Sequence, residues 1–189
     1  MLTTGIGAIS TARFLAKWKA FPMADEGPNP VYGLYLSMLR RLGHYKWFGL
    51  TFKHLGTPAD RALIRVSRGR LSMGGSEMPT MLLTTIGRKT GKQRTVPLNY
   101  VRDGSKVIAV CENFGLDTAS SWPYNLLADP KARLEIKGTA ADYLARPATD
   151  EEVTRNMPKL VAMWPAHDTY LERSGTRKVF VFEPVSSPS

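Results

Sequence analysis

From residue 80 onward the chain is cut into short β-rich runs, and most links between them are too short to hold a helix. The runs are TMLLTTI at 80–86, QRTVPLNYVR at 93–102, SKVIAVC at 105–111, then 132–137, 140–146 and KVFVFEP at 178–184. Parallel neighbours need a crossover of about a dozen residues, so strands spaced this closely pair antiparallel. Asp103-Gly104 and Gly138-Thr139 fall where tight hairpin turns are needed. Six or so short antiparallel strands predict a mainly β fold of the α+β class, a barrel with helices packed outside it.

Helical periodicity belongs mostly to the front of the chain. Residues 9–21 place Phe14, Leu15, Trp18 and Phe21 near one helical face, with Arg13, Lys17 and Lys19 mostly on the other. Such a helix can lie on an anionic membrane or pack on its own domain. Residues 22–30, rich in proline, read as a linker. Val31, Leu34, Tyr35, Met38, Leu39 and Leu42 then form a single apolar stripe that stops at Gly43. A third helix is predicted over about 58–68, capped by Thr57 with Pro58 at its first position. Farther on, Ser120 or Ser121 can cap a short helix ending near Ala128, and Thr149-x-x-Glu152 is a capping box. The helix it opens runs to about Trp164, with Pro158 kinking or interrupting it. The expected division is a helical extension over 1–55 and a barrel domain over 56–189.

At 189 residues and 43% hydrophobic content the chain can bury a full core, which excludes wholesale disorder. A lone cysteine, Cys111, excludes an internal disulfide and reads as a buried strand residue in a reducing cytosol. No apolar run approaches the length of a membrane-spanning helix, and the first residues do not read as a secretory signal. The net charge is +10, unevenly spread: residues 1–110 carry 17 basic and 5 acidic side chains, residues 111–189 carry 9 and 11. A front half this basic suits an anionic partner. No nucleic-acid-binding motif accompanies the charge, so nucleic acid is not the expected partner.

The segment richest in chemistry is Gly87-Arg88-Lys89-Thr90-Gly91-Lys92-Gln93-Arg94, between the first two strands. Its glycines permit tight positive-φ backbone that can aim amides at an anion. Arg88 and Arg94 offer forked donors for phosphate or carboxylate, and Lys89 and Lys92 add point charge. It is not a Walker loop: three residues separate the glycines, and Gln93 follows the lysine. His44, His54 and His167 share no metal-ligand spacing, and there is neither a nucleophile elbow nor a G-x-G-x-x-G turn. No metal is expected. Trp122, Tyr124, Trp164 and Tyr170 are aromatic residues that can wall a flat ring or fill the core.

The run MLLTTIGRKTGKQRTVPLNYVRDG, then SWPYNLLADP, WPAHDTY and the closing strand resemble the deazaflavin-dependent nitroreductase family, which includes F420H2-dependent quinone reductases. The resemblance spans roughly residues 60–185. It implies an FMN-binding-like split β-barrel of actinobacterial type that uses coenzyme F420, a deazaflavin on a ribityl-phosphate arm ending in glutamates. It also implies that Arg88, Lys89, Thr90, Gly91 and Arg94 bind the phosphate and the start of the tail. The ring would lie near Pro97 and Leu98, the loop at Asn113, Phe114 and Gly115, and Trp122. His167 and Tyr170 would reach over the acceptor side. The chain departs from its relatives where paired glycines are common (Phe114-Gly115), where W-Y-H-N is common (Trp122 to Asn125), and where a tyrosine often replaces His167. All three departures flank the expected ring and acceptor.

The expected activity is hydride transfer from reduced F420 to an apolar small-molecule acceptor such as a quinone, an enone or a nitro compound. Tyr170, His167 or water would supply the proton, and histidine is the side chain suited to that role near neutral pH. The expected location is the cytoplasm, with peripheral membrane contact through the helix at 9–21. A non-catalytic carrier of cofactor or lipid-like ligand, and an FMN-dependent split-barrel reductase, remain as alternatives, and the oligomeric state is open.

Overall fold

A computed structural model describes residues 30–185. The predicted helix at 9–21, with its membrane-facing side, lies outside the described residues. The chain separates into two compact units, residues 1–36 and 37–189. The first described helix, α1 (Pro30–Leu42), crosses that boundary.

Seven strands form one antiparallel sheet: β1 (Thr80–Ile86), β2 (Gln93–Asn99), β3 (Val101–Asp103), β4 (Lys106–Cys111), β5 (Lys131–Ile136), β6 (Thr139–Pro147) and β7 (Lys178–Pro184). The order across the sheet is β2-β1-β5-β6-β7-β4-β3. The run at 93–102, read as one strand, is two. It breaks at Tyr100, whose amide leaves the ladder to bond the Pro79 carbonyl at 3.1 Å. Before the break it is one edge of the sheet, and after it the other. The two edges are therefore joined by a single residue, and the sheet curls into a half-barrel.

Alternation along the strands fills the interior. Met81 and Leu83 of β1, Val107 and Ala109 of β4, Leu134 of β5 and Phe180 and Phe182 of β7 are buried in one cluster, with Val96 and Leu98 of β2 packed against it. Cys111 belongs to the same cluster, as expected, and burial pushes its thiol up to about 11. Two hairpin turns fall one residue from their predicted places. β3 and β4 are joined by 104–105 after the pair Asp103–Lys106, and β5 and β6 by Lys137 and Gly138 after the pair Ile136–Thr139. Lys137 and Gly138 both have positive φ, 49° and 80°, as a twisted two-residue turn requires. A Cβ on Gly138 would collide with Arg68, and one on Gly69 with Gly138, so this turn packs backbone to backbone on the end of the preceding helix.

The helices differ more from expectation. Residues 46–66 form a continuous helical run: α2 (Lys46–Thr51), a π-turn (Phe52–Gly56) and α3 (Thr57–Val66). Thr57 is therefore not a cap; its hydroxyl donates back to the Phe52 carbonyl at 3.1 Å. The wide turn just before Pro58 accommodates a residue that has no N–H to give. Along α1, Leu39 is buried but Val31, Leu34 and Met38 are exposed, so the predicted stripe is only partly used. Helix α4 (Trp122–Ala128) forms without a side-chain cap from Ser121. In α5 (Asp150–Met163) the capping box is made as predicted, Glu152 N–H to Thr149 Oγ1 at 3.3 Å and Thr149 N–H to Glu152 Oε2 at 3.0 Å. The helix passes through Pro158 without interruption. A further helix, α6 (Ala166–Ser174), was not predicted; Gly175 ends it in a left-handed conformation, φ 62°.

Candidate functional site

The link from β1 to β2 is a compact turn. The Gly87 N–H bonds the Lys92 carbonyl at 2.9 Å, and the Thr90 and Gly91 amides return to the Gly87 carbonyl at 3.0 and 2.8 Å. Gly91 has φ +64°, where a side chain would strain the backbone. Gly87 is buried, while Arg88, Lys89, Thr90, Gly91, Lys92 and Arg94 are exposed. None of these four cations forms an ion pair among the described residues. Arg88 instead lies over the ring of Tyr124, 5.5 Å from its centre.

Asn125 of α4 anchors this turn. Its Oδ1 accepts from the Arg88 N–H at 3.1 Å, and its Nδ2 donates to Thr85 Oγ1 at 3.0 Å. Asn125 is buried, so both bonds are made away from water. Sequence reasoning did not single it out. The available signal was its polarity amid the apolar residues of W-P-Y-N-L-L, a polar side chain on the buried face of a short helix.

A cleft of about 260 Å³ is lined in part by Tyr124, the ring that carries Arg88, and by no residue of the turn itself. Asn113, Thr118 and Ser120 line one side, Pro123 and Tyr124 another, and Cys111, Glu112 and Lys178 also face it. The wall at Asn113–Gly115 is a 3-10 turn with three consecutive positive φ values, 46°, 58° and 65°. Asn113 holds it by donating its side-chain amide to the Thr118 carbonyl. The Phe114 ring packs between Phe52 and Tyr170, with centroids at 6.0 and 6.2 Å. Gly115 abuts Tyr170 so closely that a Cβ would sit 3.0 Å from its Cα.

Beneath this wall lies a buried charge cluster. The Glu112 carboxylate, 2% exposed, accepts from His167 Nδ1 at 2.7 Å and from Arg177 Nε. A carboxylate only accepts, so the proton is assigned to Nδ1, leaving Nε2. That nitrogen is buried and has no protein partner. Tyr170 is 3% exposed, and its oxygen accepts the Trp164 indole N–H at 3.2 Å. Burial pushes its phenol up to about 12, so it keeps its proton throughout the neutral range.

The structure places Asn113 in the cleft, connects Arg88 to the cleft through Tyr124, and packs Phe114, Gly115 and His167 against Tyr170. It separates others. Pro97 and Leu98 point to opposite faces of β2, Leu98 into the barrel. Trp122 is 4% exposed and packs edge-on against Phe180 at 5.3 Å, so it supports the site from within the core. No group of three or more metal-ligating side chains occurs among the described residues.

The family model for F420H(2)-dependent quinone reductase matches residues 60–184. The chain belongs to this family. It is 28% identical over 117 residues to the F420H(2)-dependent quinone reductase Rv1261c of Mycobacterium tuberculosis, covering 59% of this chain and 74% of the relative. It is 30% identical over 92 residues to Rv3178 of the same organism, described as a putative F420H(2)-dependent quinone reductase, covering 49% and 77%. Among solved structures, the F420-H2 dependent reductase FDR-A superposes with a TM-score of 0.51 at 30% identity, covering 56% of this chain and 94% of that one. A chain solved as a domain-swapped dimer gives 0.53 at 26% identity, covering 66% and 96%. The architecture is the split barrel of the F420-dependent reductases, and F420 is the cofactor of the family. The exposed turn fits that group: it offers four cations without acidic partners to a coenzyme whose tail is a polyanion.

Proposed function

We propose that this protein reduces quinones at the expense of reduced F420, and that the acceptor range extends to enones and nitro compounds. The observation that carries the reading is the turn at 87–94, a set of cations left without partners on a backbone held in place by Asn125. Arg88, Lys89 and Arg94 bind the phosphate and the first carboxylates, with Thr90 and the Gly91 amide completing the cradle. Each charge-assisted contact contributes about 1.5–3 kcal/mol. When bound, the reduced coenzyme supplies the hydride. The chain's own part is orientation. Asn113, Phe114 and Gly115 wall the ring, Pro97 limits it on the strand side, and Leu98 and Trp122 back the site from the core.

His167 is the proton donor in this reading, a role that requires a proton on Nε2 in addition to the Nδ1 proton that Glu112 accepts. Tyr170 is the weaker acid, because burial holds its phenol near 12. Glu112 occupies one nitrogen of His167 and leaves the other unclaimed. That nitrogen is covered in the structure, so bound ligand must displace its cover before a proton passes. Residues 56–189 form the deazaflavin-binding domain and 1–55 a helical extension. The protein works in the cytoplasm, with 9–21 resting on a membrane that holds the quinone. Among the described residues no helix is long and apolar enough to cross a membrane.

Fluorescence titration with F420 and with FMN tests the cofactor, and oxidation of reduced F420 by a panel of quinones, enones and nitro compounds tests the acceptor. Tight F420 binding without turnover on any acceptor would replace the reductase by a carrier. Flotation on anionic liposomes with and without residues 1–30 tests the membrane contact; equal flotation would remove it.

A further inference from the structure

Lys178 begins β7, almost ninety residues beyond the glycine-bracketed turn, yet it reaches the same aromatic ring. Its Nζ lies 4.8 Å from the centre of Tyr124, whose ring also carries Arg88 at 5.5 Å. The two positive charges are thus within about 10 Å of each other, close to a Debye length at 0.1 M salt. Neither forms an ion pair among the described residues. The nearby carboxylate of Glu112 is already engaged by Arg177 and His167. Lys178 also lines the 260 Å³ cleft, with the hydroxyl residues Ser120, Ser174 and Thr176. The half-buried Lys178 thus sets its ammonium on a π-face beside a cleft that offers hydroxyl donors as well as the carboxylates of Glu112 and Asp117.

We propose that Lys178 is a further cofactor-binding residue, the second prong of an anion clamp whose first prong is Arg88, with Tyr124 as the spacer that sets their separation. The clamp takes one oxyanion group of the coenzyme, its phosphate or a tail carboxylate. This rests on the reading of the 87–94 turn as the tail site. It extends that site across the sheet to the opposite end of the domain sequence.

The experiment measures binding, not turnover, by deazaflavin fluorescence with three ligands: the ribityl deazaflavin alcohol, the phosphate form without glutamates, and the full coenzyme. K178Q should weaken the full coenzyme about tenfold and leave the alcohol unchanged, and K178R should recover most of the loss. Weakening that already appears with the phosphate form assigns the prong to phosphate; weakening only with the full coenzyme assigns it to a carboxylate. The salt dependence of affinity should also become shallower in K178Q. Equal affinity of K178Q and the parent protein for all three ligands would overturn the proposal, as would an equal loss for the alcohol. If K178Q proves unstable, K178M, which keeps the apolar stem and removes the charge, decides by the same ligand series. Joint neutralisation of Arg88, Lys89 and Arg94 is the separate control. If that leaves full-coenzyme affinity intact, the turn itself has been misread, whatever Lys178 does.

Discussion

Two charged regions of this small barrel are built on opposite plans. At one end of the sheet, Arg146 grips Glu152 through two bonds of 2.7 and 2.8 Å and reaches Glu183 at 2.9 Å, while Lys106 joins the same acids at 3.4 and 2.9 Å. Nearby, Asp103 accepts from Arg155 at 2.6 Å and from Asn156 at 3.1 Å. Each of these cations has an acidic partner. In the turn at 87–94 four cations stand together with none. The first arrangement ties β4, β6, β7 and the start of α5 to one another. The second holds like charges side by side, which costs stability until something negative arrives. The contrast separates charges that maintain the fold from charges that the proposed function assigns to the coenzyme.

The largest test of that contrast is the joint variant R88Q/K89Q/R94Q. It should lose about a thousandfold in F420 affinity, the sum of three modest charged contacts, while its unfolding midpoint holds or rises. Fluorescence titration and thermal unfolding on the same samples check both halves. The reciprocal variant is R146M. It leaves the carboxylate of Glu152, 8% exposed, without its main partner, and should cost about 2 kcal/mol in urea unfolding with F420 affinity unchanged.

The same pair gives a pH signature. Hydrogen bonds from Arg146, with the Thr149 amide, hold the Glu152 carboxyl down near 2. The folded state therefore binds that proton less readily than the unfolded chain, whose carboxyl titrates near 4.5. The pair's stabilisation is complete above about pH 4.5 and fades as pH falls toward 2. Urea unfolding between pH 7 and 3 should show a shallower acid decline in R146M than in the parent protein.

Asn125 joins the two plans, since it is a buried structural residue whose bonds end on the ligand turn. N125A should lower both stability, by about 2 kcal/mol, and F420 affinity, by about tenfold. A stability loss with unchanged affinity would show that the turn keeps its shape without its anchor. The smallest effect is expected for Y170F: quinone turnover within threefold of the parent and an unaltered pH profile from 6 to 9, because a phenol held near 12 does not titrate there. A large loss of quinone turnover in Y170F would move the proton donor from His167 to Tyr170.

Much of the barrel was legible because strand alternation is a local, two-residue pattern; β1, β4 and β7 run within a residue of their predicted bounds. The break at Tyr100 was not: Asn99, a poor strand former, sits beside it, but the bend itself is set by the Pro79 carbonyl far away in sequence. The π-turn before Pro58 was hidden for a related reason: proline reads as a start signal, and here a wider turn lets the helix continue into it. In the site, the basic turn announced itself by composition. The cluster of Glu112, His167 and Arg177 did not, because its members are 55 and 65 residues apart and meet only when β4, α6 and β7 assemble.

The corner at Tyr100 has a kinetic corollary. Because neighbouring residues in the chain serve as the far margins of the sheet, closure cannot proceed by adding one strand after another from a single side. The margins come together only once β7 has docked on β4, near the C-terminus. Pulse-labelled amides of β2 and β3 should therefore gain protection late and in step, as the last stitch of the barrel rather than its first.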